Sequence, residues 1–187
     1  ILNYTKNNNV QILKLPNSLI ELYCCYNKLY ELPELPNNLK ILFCNNNYLK
    51  YLPKLPDTIE RLYLVNNLIS TIELLPSKLK ILNIGYNKLK SILHLPNNLE
   101  ILYCHNNDLD KLPKLPNSLS YLNCSDNNLN KLPKLPKLLK IELYNTPIIL
   151  CIYHNYNDLE TYKIKKIFCN KIENWFLECK YNPKYKY

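Results

Sequence analysis

At 187 residues and 47% apolar composition, with no apolar run of membrane-spanning length, the chain reads as one globular domain and excludes a transmembrane helix. Its 24 basic and 15 acidic residues leave a formal charge of +9, spread thinly (17 basic against 11 acidic up to Ile148, 7 against 4 beyond), so no basic block marks a nucleic-acid site. Ala and Met are absent and the one glycine is Gly85, which excludes a glycine-rich phosphate loop.

In chain order, Leu2, Tyr4, Asn7, Ile12 and Leu15 mark a first unit whose opening residue would precede Ile1, so the first turn is expected to be incomplete. The residues after Ile1 lack the charged, apolar and small-residue regions of a signal peptide, and the chain is expected not to be secreted. From Leu15-Pro16 onward a Leu-Pro pair returns every twenty residues, at Leu35, Leu55, Leu75, Leu95, Leu115 and Leu135. Asn27, Asn47, Asn67, Asn87, Asn107 and Asn127 return with it. Before each Asn, Leu22, Leu42, Leu62, Leu82, Leu102 and Leu122 alternate with Cys24, Cys44, Leu64, Ile84, Cys104 and Cys124, the period of two of a short strand with one buried face.

Each Asn follows its strand where the chain bends. Its amide can bond backbone groups that would otherwise be buried unpaired, so the column is expected to form a ladder. The return of each unit is rich in Pro, as in Leu32-Pro33-Glu34-Leu35-Pro36, and Pro lacks the amide hydrogen that a helix or central strand needs; an extended or short 3-10 convex side follows. Leu138, Ile141, Leu143, Thr146 and Ile148 fit the same template once one residue is deleted after Pro136, with Thr146 in the Asn position. The array, 1–148, ends there. Residues 149–187 are expected to form a helical cap: a helix over Asp158 to Phe168, then a second opened by Asn170 and Glu173 in capping-box spacing, with Ile172, Trp175, Phe176 and Cys179 on one face to cover the last turn.

A unit such as Leu39-Lys-Ile-Leu42-Phe-Cys44-Asn-Asn-Asn47-Tyr-Leu49 matches L-x-x-L-x-L-x-x-N-x-L with Cys in the sixth place, and the chain resembles the leucine-rich-repeat proteins. That resemblance implies a mostly β solenoid, a right-handed superhelix with a parallel concave sheet. The twenty-residue unit with two Leu-Pro pairs resembles the repeats of bacterial type III secreted effectors and of giant-virus, mimivirus-like, repeat proteins. In the effectors such repeats recognise host proteins while a separate ubiquitin-ligase domain supplies a catalytic Cys; the 39 residues after Ile148 leave no room for one. The Asn, Lys and Tyr bias and the ending Trp175 to Tyr187 favour the viral resemblance, which implies the host cytoplasm, with a virion as the other location.

Functional residues are expected on the concave face, between the buried positions. One column is Tyr23, Phe43, Tyr63, Asn83, Tyr103, Asn123, and its neighbour is Glu21, Ile41, Arg61, Ile81, Ile101, Tyr121. Tyr23, Phe43, Arg61, Tyr63, Ile81, Ile101, Tyr103 and Tyr121 are the partner-binding candidates, since an exposed apolar stripe marks interaction sites. The competing reading is that Tyr and Ile simply suit strands and pack across the sheet. The expected activity is non-enzymatic binding of a host or viral protein; a structural role in a virion or assembly and single-stranded nucleic-acid binding are the alternatives. Against nucleic acid, Lys54, Lys114 and Lys134 fall in the returns, while Lys40 and Lys80 alternate with Glu60 and Glu100.

No catalytic residue, cofactor or metal is expected. The ladder cysteines substitute for Leu64 and Ile84 and are read as reduced core thiols, with Cys25 pointing into the concave face. Cys151, His154, Cys169 and Cys179 lack zinc-site spacing. Neither His94 nor His105 pairs with a Cys and a carboxylate suited to nucleophilic catalysis.

Overall fold

The computed structural model describes residues 1–6, 14–137 and 139–148. Asn7, Ile12, Leu138, the predicted helices of the cap and its Cys and His residues lie outside the described residues. The solenoid is one unit, Ile1–Pro147; of the second unit, Ile148–Tyr187, only Ile148 is described.

Eight strands form one parallel sheet in chain order: β1 (Leu2–Asn3), β2 (Glu21–Tyr23), β3 (Ile41–Phe43), β4 (Arg61–Tyr63), β5 (Ile81–Asn83), β6 (Ile101–Tyr103), β7 (Tyr121–Asn123) and β8 (Lys140–Glu142). Equivalent residues pair directly, Leu22 with Leu42, Leu42 with Leu62 and so on to Leu102 with Leu122. The step from β7 to β8 is one residue shorter, Tyr121 pairing with Lys140, so the deletion in the last unit is absorbed in the return and the register survives. Among the described residues no helix is long and apolar enough to cross a membrane.

The central residue of each strand from β2 to β8 is buried, and its two neighbours are half-buried or exposed except Asn123 in β7, which is buried. Behind the sheet the other apolar columns stack: Cys24, Cys44, Leu64, Ile84, Cys104, Cys124 and Leu143, then Leu29, Leu49, Ile69, Leu89, Leu109 and Leu129, all buried. Burying such side chains is worth about 1.5–3 kcal/mol each, and no turn holds a core without its neighbours.

The ladder side chains lie between turns. Each Asn from Asn27 to Asn127 donates through Nδ2 to the carbonyl three residues earlier and to the equivalent carbonyl one turn back, at 2.9 to 3.2 Å. Oδ1 of the Asn from Asn47 to Asn127 accepts from the backbone N–H of Leu29, Leu49, Ile69, Leu89 and Leu109 in the preceding turn, at 3.0 to 3.1 Å. One side chain thus closes the bend of its own turn and ties it to the previous one. Thr146, in the Asn position of the last repeat, is buried, and its hydroxyl has no partner among the described residues.

The residue before each ladder position carries a left-handed backbone: Lys6, Tyr26, Asn46, Asn66, Tyr86, Asn106, Asp126 and Asn145 all have φ between 51° and 60°. Five of the eight are Asn or Asp, the non-glycine residues that tolerate this region best. From Lys6 to Asp126 the N–H of this residue donates to a carbonyl of the next turn, as from Asn46 to the Val65 carbonyl at 2.8 Å.

The returns are extended, with one turn ahead of each strand in which the residue after Pro-x-x donates to the Pro carbonyl, as Leu39 does to Pro36 at 3.0 Å. No 3-10 segment forms in the described returns, since Pro and the extended residue before it leave no run of amides to close such a helix. In the two middle turns Glu73 and Leu93 stand where Pro33, Pro53, Pro113 and Pro133 stand elsewhere, and Leu74 and Leu93 are exposed on the convex side.

Candidate functional site

The outward positions of β2 to β7 make the concave face. Tyr23, Phe43, Tyr63 and Tyr103 lie in one column and Arg61, Ile81, Ile101 and Tyr121 in its neighbour; Arg61 is exposed and the others half-buried. The half-burial comes largely from one another. Tyr23 and Phe43 stack with centroids 5.0 Å apart and planes 9° from parallel, and Phe43 and Tyr63 at 4.2 Å and 6°. Tyr103 and Tyr121 form a second, tilted pair at 5.0 Å. For Tyr23, Phe43 and Tyr63 the cause is the strand spacing of about 4.8 Å, which sets rings on directly paired positions at stacking distance, whereas Tyr103 and Tyr121 meet on the diagonal, since Tyr103 pairs with Asn123 and Tyr121 with Ile101.

Carboxylates flank both groups. The Tyr23 hydroxyl donates to Glu21 Oε2 at 3.0 Å, and that bond, then desolvation, raises the phenol pKa. Burial, then the Glu142 carboxylate, raises that of Tyr121. Both rings stay neutral donors throughout the physiological range. At the edge of the face, Lys80 Nζ meets Glu60 Oε2 at 3.0 Å and lowers the Glu60 pKa, a solvated pair that leaves the face of mixed charge. Lys54, Lys114 and Lys134 are exposed on the returns, away from the rings.

The aromatic column is interrupted at Asn83. Beneath it lies Gly85, whose φ is not positive: what it supplies is room. A Cβ there would lie 2.8 Å from Nε2 of His105, whose imidazole packs on the glycine and meets the edges of Tyr86 and Tyr103 at 5.2 and 6.4 Å. His105 Nδ1 is buried without a partner among the described residues, and desolvation, opposed by Asp126 and Glu142, lowers the imidazole pKa. This glycine–histidine pairing was invisible in the sequence except as one glycine twenty residues before a histidine.

The second interruption is closed. Asn123 is buried and donates to Glu142 Oε2 at 3.0 Å. Cys25, expected on the concave face, is buried. Cys24 and Cys44 are fully buried with their sulfurs 3.2 Å apart. Burial pushes the Cys104 thiol up to about 12 and raises Cys124, and the bond to Cys24, then burial, raises Cys44; these thiols stay protonated and unreactive. Among the described residues no group of three or more His, Cys, Asp or Glu side chains could hold a metal ion.

Parallel three-residue strands at a twenty-residue step, a buried Asn ladder and extended returns decide the architecture. The solenoid has the leucine-rich-repeat fold. Over 71% of its length the chain is 39% identical to YopM from Yersinia enterocolitica, with a TM-score of 0.70. Over 78% it is 31% identical to YopM of Yersinia pestis, a leucine-rich effector protein, with a TM-score of 0.64. A leucine-rich-repeat domain of a Shigella effector matches over 83% of the chain at 28% identity and a TM-score of 0.74. The chain spans 30% and 49% of the two YopM chains and 76% of the Shigella domain. No protein-family model matches the chain, and no curated protein does. The leucine-rich-repeat array thus resembles the repeats of bacterial effectors; no giant-virus protein is among these neighbours.

Proposed function

We propose that the array is a non-enzymatic recognition module that binds a protein partner through its concave aromatic face. The carrying observation is the stack of Tyr23, Phe43 and Tyr63 with the pair Tyr103–Tyr121, two apolar groups set on consecutive strands with outward surface left uncovered. Rings already held by their neighbours lose little side-chain freedom on binding, and aromatic residues and Arg are the side chains that dominate interface energies. Similarity to effector repeats supports the same reading. Mixed charge on the face disfavours a nucleic-acid backbone, which needs clustered cations. The protonated core thiols suit a reducing compartment, and the host cytoplasm is the location proposed with this function.

The test is affinity capture with two variants. Arg61→Glu/Tyr63→Ala/Tyr103→Ala should lose the captured partner while keeping the circular dichroism of the parent. Leu74→Glu/Leu93→Glu on the convex side should keep it. Retention by the concave variant, or loss only in the convex one, would refute the assignment.

A further inference from the structure

Within the concave face one position is built differently, and it defines what the face takes. Asn83 pairs directly with Tyr63 on one side and Tyr103 on the other. The strands that carry the two rings therefore lie about 9.6 Å apart, two strand spacings, and the side chain between them is shorter than either ring. One ring placed midway would stand about 4.8 Å from each wall, the separation at which Tyr23 and Phe43 already stack. Tyr63 is nearly parallel to Phe43 and so presents its other face to the gap. Asn83 is half-buried; its Oδ1 accepts from the Gly85 N–H at 3.3 Å, and its Nδ2 has no acceptor among the described residues. The comparable gap at Asn123 is closed by the bond to Glu142.

Resting on the concave-face reading, we propose that the gap at Asn83 is a specificity slot that takes one aromatic side chain of the protein partner, completing a stack from Tyr23 to Tyr121. The guest ring slides between Tyr63 and Tyr103, with Asn83 Nδ2 as the polar group at its floor. A guanidinium is also planar, but Arg61 is the one charged residue in the two concave columns between Ile41 and Ile101, and its charge opposes a cationic guest.

The single glycine makes the slot directly observable. In an amide correlation spectrum of the uniformly ¹⁵N-labelled full chain, Gly85 gives the one glycine resonance, two residues from the slot floor. Titration with N-acetyl-phenylalaninamide should shift that resonance saturably through the ring current, with N-acetyl-leucinamide at least about fivefold weaker for lack of stacking. Asn83→Tyr, which supplies the ring from within, should abolish the response. Tyr103→Leu, which removes one wall and leaves the column otherwise apolar, should weaken it if Asn83→Tyr proves unstable.

No shift with the phenylalanine amide, an equal shift with the leucine amide, or a stronger one with N-acetyl-argininamide or adenosine monophosphate would overturn the proposal, the last in favour of a nucleobase. If partner capture is lost in the concave variant while the aromatic probe fails, the slot is refuted and the face stands. If the probe binds while capture survives, the slot stands and the proposed function falls.

Discussion

Replacing Asn67 by Ala removes one rung from the middle of the ladder. Its Nδ2 donates to Cys44 O at 3.0 Å and Leu64 O at 3.1 Å, and its Oδ1 is the acceptor for the Leu49 N–H at 3.1 Å. The two carbonyls each keep a second Asn donor, Asn47 at 3.2 Å and Asn87 at 2.9 Å, so each loses one bond of two. The Leu49 amide loses its acceptor outright. A buried orphan of this kind costs about 1–3 kcal/mol and each of the two lost bonds about 0.5–1.5 kcal/mol, giving about 4 kcal/mol in all. The rung joins two turns, so the cost falls on interfaces between repeats, and the array should unfold at lower denaturant. Urea unfolding followed by circular dichroism measures it, with Asn98→Ala, whose exposed amide makes one bond to Ser77 O, as the control expected within about 0.5 kcal/mol of the parent. An Asn67→Ala variant no less stable than that control would refute the ladder as the clamp between turns.

Three further outcomes follow from the same geometry. Gly85→Ala should destabilise by about 1–3 kcal/mol through overpacking against His105, whereas in a His105→Ser background the same change should be neutral or stabilising by up to about 1 kcal/mol; urea midpoints of the four proteins measure the coupling. Tyr26, at φ 56° and exposed, should gain about 0.5–1 kcal/mol on replacement by Asn and lose about 1 kcal/mol or more on replacement by Val, as read by thermal melts. Because burial lowers the His105 pKa from 6.5, the unfolded chain binds the proton more readily. Its contribution is therefore fully present above about pH 6.5 and is lost as pH falls from there through the folded pKa; melting midpoints between pH 7.5 and pH 5 should fall more steeply for the parent than for His105→Ser.

The architecture was legible because it is written in positions that repeat. Leu22 and its equivalents face inward for the same reason in every turn, and the shortened last unit could be counted from Thr146 and Ile148 before its register, Tyr121 on Lys140, was seen. The left-handed column was present in the sequence as Asn46, Asn66, Asn106 and Asp126, but Tyr26, Tyr86 and Lys6 obscured it, and no side-chain alternation signals a backbone angle. What could not be read was pairing between residues of different turns. Gly85 and His105 fit each other only in three dimensions, and the open gap at Asn83 differs from the closed one at Asn123 through Glu142, a residue of the next turn.

The central claim is that the concave rings are the contact surface, and site-specific photocrosslinking tests it most directly. With benzoylphenylalanine placed at Tyr63, at Leu74 or at Tyr30, each crosslinked to the partner recovered by affinity capture, the account predicts a covalent adduct from position 63 alone. An adduct from Leu74 or Tyr30 without one from Tyr63 would contradict it.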